Sequence, residues 1–190
     1  MPYQPPPDLG GLTLAELVTA ARAHPGAPVD RWTPDHTGDS RMRIAADGTW
    51  YHEGGPITRP AMVRAFSSLL RREADGTHVL VTPAERLTIA VDDAAFIATD
   101  LAVRHDEMGR TVLAFRLNSD DIVLAGPDHP LRVAGTPDLP AFYLAVRHGT
   151  EARINRSTYG QLIEHALGRS EADDLSVESG GMVFSLVPGA

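Results

Sequence analysis

Met42-Arg43-Ile44-Ala45, returning 89 positions later as Leu131-Arg132-Val133-Ala134, is the stretch on which the fold reading turns. A second echo accompanies it. Ile57-Thr58-Arg59 reappears as Ile154-Asn155-Arg156, 97 positions on and in the same order. The extra eight positions match a longer hairpin connection in the second copy, where Gly135 to Pro140 replaces the compact Asp47-Gly48 turn. Each copy then reads strand, strand, turn, capped helix, strand, which is the pattern of an internal duplication.

Outward from these echoes, periodicity supplies the remaining elements. Leu14, Leu17, Val18 and Ala21 share one helical face behind the capping box Thr13-Leu14-Ala15-Glu16, and His24-Pro25-Gly26 ends that helix. Arg41–Ile44 and Thr49–His52 flank the Asp47-Gly48 turn as a hairpin, broken by Glu53-Gly54-Gly55-Pro56. A second helix follows, with Thr58 as cap and Met62, Val63, Phe66, Leu69 and Leu70 on one side. Strands are predicted at 77–81, 86–91, 96–103, 111–117, 122–125, 131–133, 142–147 and 151–154. A third helix is predicted over 157–167, and 175–178 with 182–186 form a closing hairpin. Thr82-Pro83-Ala84-Glu85 reads as one tight turn capped by Glu85. Trp50, Tyr51, Phe66 and Phe96 are the expected core anchors.

The fold class is therefore α+β, two similar halves of antiparallel sheet, each with one packed helix. The expected organisation is a disordered tail over 1–11, a first half over 12–92 and a second over 93–190. The second half is the more acidic, with 8 Arg against 14 acids, where residues 1–92 hold 9 against 11.

Composition excludes several chemistries. The 190 residues contain no cysteine, so thiolate nucleophiles, disulfides and Cys-ligated zinc are ruled out. All 17 basic residues are Arg, which removes the P-loop lysine, Schiff-base chemistry and any lysine general base. A net charge of −8 argues against generic nucleic-acid or anionic-membrane binding. No apolar run approaches the roughly 20 residues needed to span a bilayer, and the opening Met1 to Asp8 lacks the character of a signal peptide. The expected location is the cytoplasm.

An ordered set of motifs carries a family resemblance. Met42 to His52 leads into Pro56-Ile57-Thr58-Arg59. Leu70-Arg71-Arg72-Glu73, Leu80 to Glu85, Val91 to Phe96 and Gly126-Pro127-Asp128-His129-Pro130-Leu131-Arg132 follow. From about Trp32 to Leu186 the chain resembles the bacterial family named domain of unknown function 1285. That resemblance implies a duplicated α+β core, a C-terminal half superficially like pleckstrin-homology folds, and a binding site where the halves meet. It implies no reaction. The chain departs from the family at Ala94-Ala95, small residues where the pattern is acidic.

Candidate site residues follow from charge and position. Arg59 and Arg156 fall in the first turn of a helix, where the dipole disfavours a cation by a few tenths to about 1 kcal/mol. Two roles would favour Arg there: bridging a carboxylate of the other half, or gripping a phosphate or carboxylate beside free helix amides. Arg43 and Arg132 are repeat-related, and with Arg59 and Arg156 they are expected to face one another across a pseudo-twofold. His52 with Glu53 ends a strand, and Asp128-His129-Pro130 forms a turn. His129 with Asp128 or Glu85 is the acid/base pair of the alternative reading, a hydrolase or isomerase. The other reading of this turn has His129 bonding a carbonyl. The leading expectation is a non-enzymatic binding module serving signalling or assembly. Its ligand is a small anion or acidic peptide held by Arg43, His52, Arg59, Glu85, His129, Arg132 and Arg156, with no cofactor and no metal. Asn118-Ser119-Asp120-Asp121 lacks the Gly and distal Glu of a calcium loop and reads as a solvated turn.

Overall fold

The computed structural model describes residues 8–136, 138–168 and 175–188. Helix α1 spans Leu14–Ala23, and its capping box forms as predicted. The Thr13 hydroxyl accepts from the Glu16 N–H, while the Glu16 carboxylate accepts from the Thr13 N–H at 2.7 Å. Strands β1 (His36–Ile44), β2 (Trp50–His52) and β3 (Gly55–Pro56) form a meander. Gly48, at φ +83°, turns the first hairpin, and Glu53-Gly54 turns the second rather than ending the strand. β1 begins five residues before the predicted Arg41. His36 to Ser40 lack apolar alternation because they are polar and largely exposed, and they are held as strand by parallel pairing with Glu85–Thr88.

Helix α2 is Pro60–Ser67, and Thr58 is not its cap. Arg59 holds the cap position and makes no side-chain cap bond, since a guanidinium has no acceptor to offer, and Pro60 at the first helical place starts the helix with its preset φ. Leu70, expected on the helix face, instead opens β4 (Leu70–Arg72), where it is fully buried. β5 (His78–Val81) and β6 (Glu85–Val91) complete the first sheet, joined by the predicted tight turn. Its cap is the Thr82 hydroxyl, which accepts from the Glu85 and Ala84 N–H groups. The second half runs β7 (Phe96–His105), β8 (Thr111–Leu117), β9 (Ile122–Leu124), β10 (Leu131–Thr136), β11 (Leu139–Ala145) and β12 (Glu151–Ile154). Helix α3 (Arg156–Leu167) and the hairpin β13 (Ser176–Ser179) and β14 (Met182–Ser185) follow. The Asn155 side chain caps α3 by accepting from the Thr158 N–H at 2.8 Å.

The two sheets share one strand order. The first is β3-β2-β1-β6-β5-β4 and the second β9-β8-β7-β12-β11-β10. In each, two three-stranded antiparallel meanders meet through a single parallel pair, β1 with β6 and β7 with β12. Identical order with the same central parallel pair is what internal duplication produces. Its register differs from the sequence echo, because strand order equates β1 with β7, whereas the echo equates central β1 with edge strand β10. What the echo does track is local chemistry. Arg43 lies opposite Tyr51 in the β1–β2 ladder, as Arg132 lies opposite Tyr143 in β10–β11.

The inner faces of both sheets bury one continuous core. Ile44, Trp50, Leu70 and Leu80 of the first meet Phe96, Leu113, Phe115, Leu117, Phe142 and Leu144 of the second, with Leu162 of α3 and Phe184 of β14. Trp50 stacks on Phe66 at 6.3 Å and Phe142 on Tyr159 at 4.7 Å. Tyr51, expected in the core, instead faces outward beside Arg43, because it alternates with the buried Trp50. Of the expected tail, residues 1–7 lie outside the described residues. Leu9–Gly11 form a 3₁₀ turn whose Leu9 is fully buried. Among the described residues, no helix is long and apolar enough to cross a membrane.

Candidate functional site

Alternation along the strands puts Arg132 (β10), Tyr143 (β11) and Arg153 (β12) in one cross-strand row on the outer face of the second sheet. The Tyr143 ring lies between two guanidiniums, 4.3 Å from that of Arg132 and 5.1 Å from that of Arg153. Its hydroxyl donates to Asp93 at 2.7 Å and accepts from Arg153 at 2.9 Å. Burial, then the bond to Asp93, push the phenol above its ordinary range.

This row crosses the seam between the halves. Arg43 of β1 forks onto Asp92, its Nε 2.9 Å from Oδ1, and Asp92 immediately precedes Asp93. The guanidinium holds the Asp92 carboxyl below the usual carboxylate range, and Asp92 in turn raises Arg43. At the far end Arg132 forks onto Glu151 at 2.8 and 2.9 Å, a bond that raises the Arg132 pKa. Arg72 of β4 lies 3.9 Å from the same carboxylate. Beside Arg72, His78 is lowered below its ordinary range by burial first and by that guanidinium second. The result is one connected strip of opposed charges: Arg43, Asp92, Asp93, Arg153, Arg132, Glu151, Arg72.

Of the seven predicted site residues, Arg43 and Arg132 therefore belong to the strip, each already forked onto a carboxylate. The other five do not join it through any described contact. Arg59 and Arg156 sit exposed at the starts of α2 and α3, and neither side chain has a hydrogen bond or ion pair among the described residues. His52 is exposed at the end of β2, and Glu85 opens β6 opposite His36. His129 directs Nδ1 to the Ala145 carbonyl at 3.1 Å, the carbonyl-bonding role, and no described hydrogen bond joins it to Asp128 or Glu85.

The seam holds further polar contacts. Arg147, after β11, donates to Asp121 at 2.9 Å and to the Ser67 carbonyl at 3.3 Å, and lies 5.1 Å over the Phe96 ring. Asp120 pairs with Arg64 of α2 at 3.1 Å. The 118–121 turn is thus not solvated: Asp120 docks it on Arg64 of the first half, Asp121 holds Arg147, which in turn reaches the Ser67 carbonyl, and Ser119 is buried. His148 bonds Asp30 through Nδ1. Tyr143, Arg153, Arg72 and Arg147 were not singled out from the sequence. Alternation in Phe142-Tyr143-Leu144 and Ala152-Arg153-Ile154 marks Tyr143 and Arg153 as outward-facing, but only strand register makes them neighbours.

Comparison with known proteins places this geometry. The N-terminal domain of the domain of unknown function DUF1285 matches residues 27–94, and the C-terminal domain of the same family matches 95–186. The chain belongs to the DUF1285 family. No curated protein matches it. A crystal structure of a DUF1285 family protein from Silicibacter pomeroyi DSS-3 is similar at 43% identity and TM-score 0.77, covering 91% of this chain and 95% of that one. A DUF1285 family protein from Shewanella baltica OS155 shares the fold at 21% identity and TM-score 0.51, over 65% of this chain and 90% of that one.

Proposed function

We propose that this DUF1285 protein is a non-enzymatic binding module of the cytoplasm, serving signalling, that takes a small anion or an acidic peptide segment at the seam between its halves. The observation that carries the reading is the strip. In a chain of net charge −8, four arginines gather around three carboxylates. Two of the pairs are loose, Arg153 with Asp93 at 3.5 Å and Arg72 with Glu151 at 3.9 Å. The looser guanidiniums can turn to an incoming phosphate or carboxylate and meet it with two parallel bonds, while the Glu151 fork keeps Arg132 charged beside them. Arg59 and Arg156, exposed and unengaged among the described residues, are the second place at which this ligand class would be held.

Thermal-shift screening against phosphorylated metabolites, dicarboxylates and acidic peptides tests the proposal. A bound ligand at one hundred times its dissociation constant stabilises the fold by about 2.7 kcal/mol. The Arg132→Ala/Arg153→Ala variant is expected to abolish the shift, and Arg59→Ala/Arg156→Ala to leave most of it. The absence of a shift with every anion would overturn the binding reading. A shift that survives loss of Arg132 and Arg153 would move the site away from the strip.

A further inference from the structure

The N-terminal arm, residues 9–23, lies on the outer face of the second sheet, away from the shared core. Leu9 and Leu17 are fully buried there, in a separate cluster with Ala102 of β7 and Ala114 of β8. These two alanines are direct cross-strand partners, and they make a flat floor on which a helix can lie close. Leu12 of the arm and Ile122 and Leu124 of β9 pack against the cluster. Arg104 clamps the start of the arm. Its Nε donates to the Leu12 carbonyl at 2.8 Å, and its Nη2 to the carbonyls of Gly10 at 2.6 Å and Leu9 at 3.3 Å. Among the described residues, the arm's hydrogen bonds to the rest of the chain come from this one guanidinium. They read the path of a backbone and no side chain.

The connection behind the arm is short and built to turn. His24 and Pro25 are exposed, and Gly26 has φ +78°. Immediately after it the chain is fastened to the first half: the Ala27 N–H donates to the Ser68 carbonyl, and Val29 is buried with Val79 and Val81. A hinge of three residues thus joins a segment fixed to one sheet to an arm seated on the other.

We infer that the seat on β7–β9 is an interaction surface for a second copy of this chain, with the arms exchanged reciprocally. The occupant that fits the seat is a 3₁₀ turn followed by a capped helix, with leucines eight positions apart to fill it and three carbonyls offered to Arg104. A second copy supplies that segment by construction. An arm that swings out leaves Ala102, Ala114, Ile122 and Leu124 as an apolar patch on the sheet, so a vacated seat favours recapture of an arm. In the exchanged dimer each seat keeps every contact it has in the monomer, and only the hinge is re-routed.

The chain has no cysteine, so single labels can be placed cleanly on the full-length protein. One batch carries a donor on the arm at Ala15→Cys. The other carries an acceptor on the β7–β8 turn at Glu107→Cys. Mixing at high protein concentration is expected to yield a species of twice the mass with sensitised emission. Arg104→Ala is expected to speed its formation about tenfold or more, as loss of charge-assisted bonds loosens the arm. It should leave the dimer constant within about threefold, because monomer and exchanged dimer lose the same clamp. Leu17→Asp, checked for retained fold by circular dichroism, is expected to abolish the exchanged species, because a buried carboxylate unseats the arm altogether and an arm seated on no sheet links no copies. No dimer in the wild type, a dimer unaffected by Leu17→Asp, or an Arg104→Ala variant that exchanges no faster would each overturn the inference.

Discussion

Removing the Asp121 carboxylate is expected to be among the most damaging single polar changes at the seam. Asp121 and Arg147 have side chains only 14% and 15% exposed, and they meet at 2.9 Å. Arg147 has little else to balance its charge. It makes one long bond to the Ser67 carbonyl and a contact with the Phe96 ring, and its Nε is buried without a partner. Asp121→Ala therefore strands a guanidinium that is mostly out of water. Breaking a buried pair from one side costs roughly 3–5 kcal/mol, and the residual exposure points to the lower end, about 3 kcal/mol. For a chain of this length that is a fall in melting temperature of roughly 6–12 °C. Replacing both partners with apolar groups, Asp121→Leu with Arg147→Met, should cost less than the single change, since no charge is then left buried. Urea denaturation at neutral pH measures both, and the continuous core predicts one cooperative transition for the two halves. An Asp121→Ala variant within about 0.5 kcal/mol of wild type, below the reach of any buried-charge mechanism, would falsify this account of the seam.

Gly48→Ala is expected to cost well over 1 kcal/mol in the same assay, because it combines strain at positive φ with crowding. At φ +83° a Cβ would stand 2.7 Å from Asn118 Nδ2 and 2.8 Å from Ile97 Cγ1, so the β1–β2 turn would lose its seat on the second sheet. His78 makes stability depend on pH. Its folded pKa lies below the ordinary histidine value of about 6.5, so the unfolded chain binds the extra proton first. Stability is expected to fall as pH drops through 6.5 and to level off below the folded pKa, and His78→Gln should flatten that part of the profile.

The site was less legible in the sequence than the fold, and the reason is register. Helix α1, the Asp47-Gly48 hairpin, β8 and β12 follow from local signals because capping, turn chemistry and two-residue alternation act within a few positions of one another. β1 was seen only in its second half, since His36 to Ser40 owe their strand conformation to β6, nearly fifty residues away. Arg43 and Arg132 stand out in the sequence as repeat-related cations, but the carboxylates that hold them do not. Asp92 lies 49 positions from Arg43, and Glu151 lies 19 from Arg132. Arg147 gave no signal at all in a chain with sixteen other arginines, because its burial depends on α2 and the 118–121 turn closing over it.

By itself the sequence determined the kind of chemistry present and the local elements. Without cysteine or lysine, polar work falls to guanidinium, imidazole, hydroxyl, amide, indole and carboxylate groups, and periodicity places them on strands and helices. Tertiary structure decided which of those groups meet. Strand register within the second sheet sets Tyr143 between two arginines, the seam between two sheets of the same strand order buries Arg147 on Asp121, and the outer face of β7–β9 seats the arm. Spacing along a chain specifies a face, but a neighbour on that face is specified only when another strand is laid beside it.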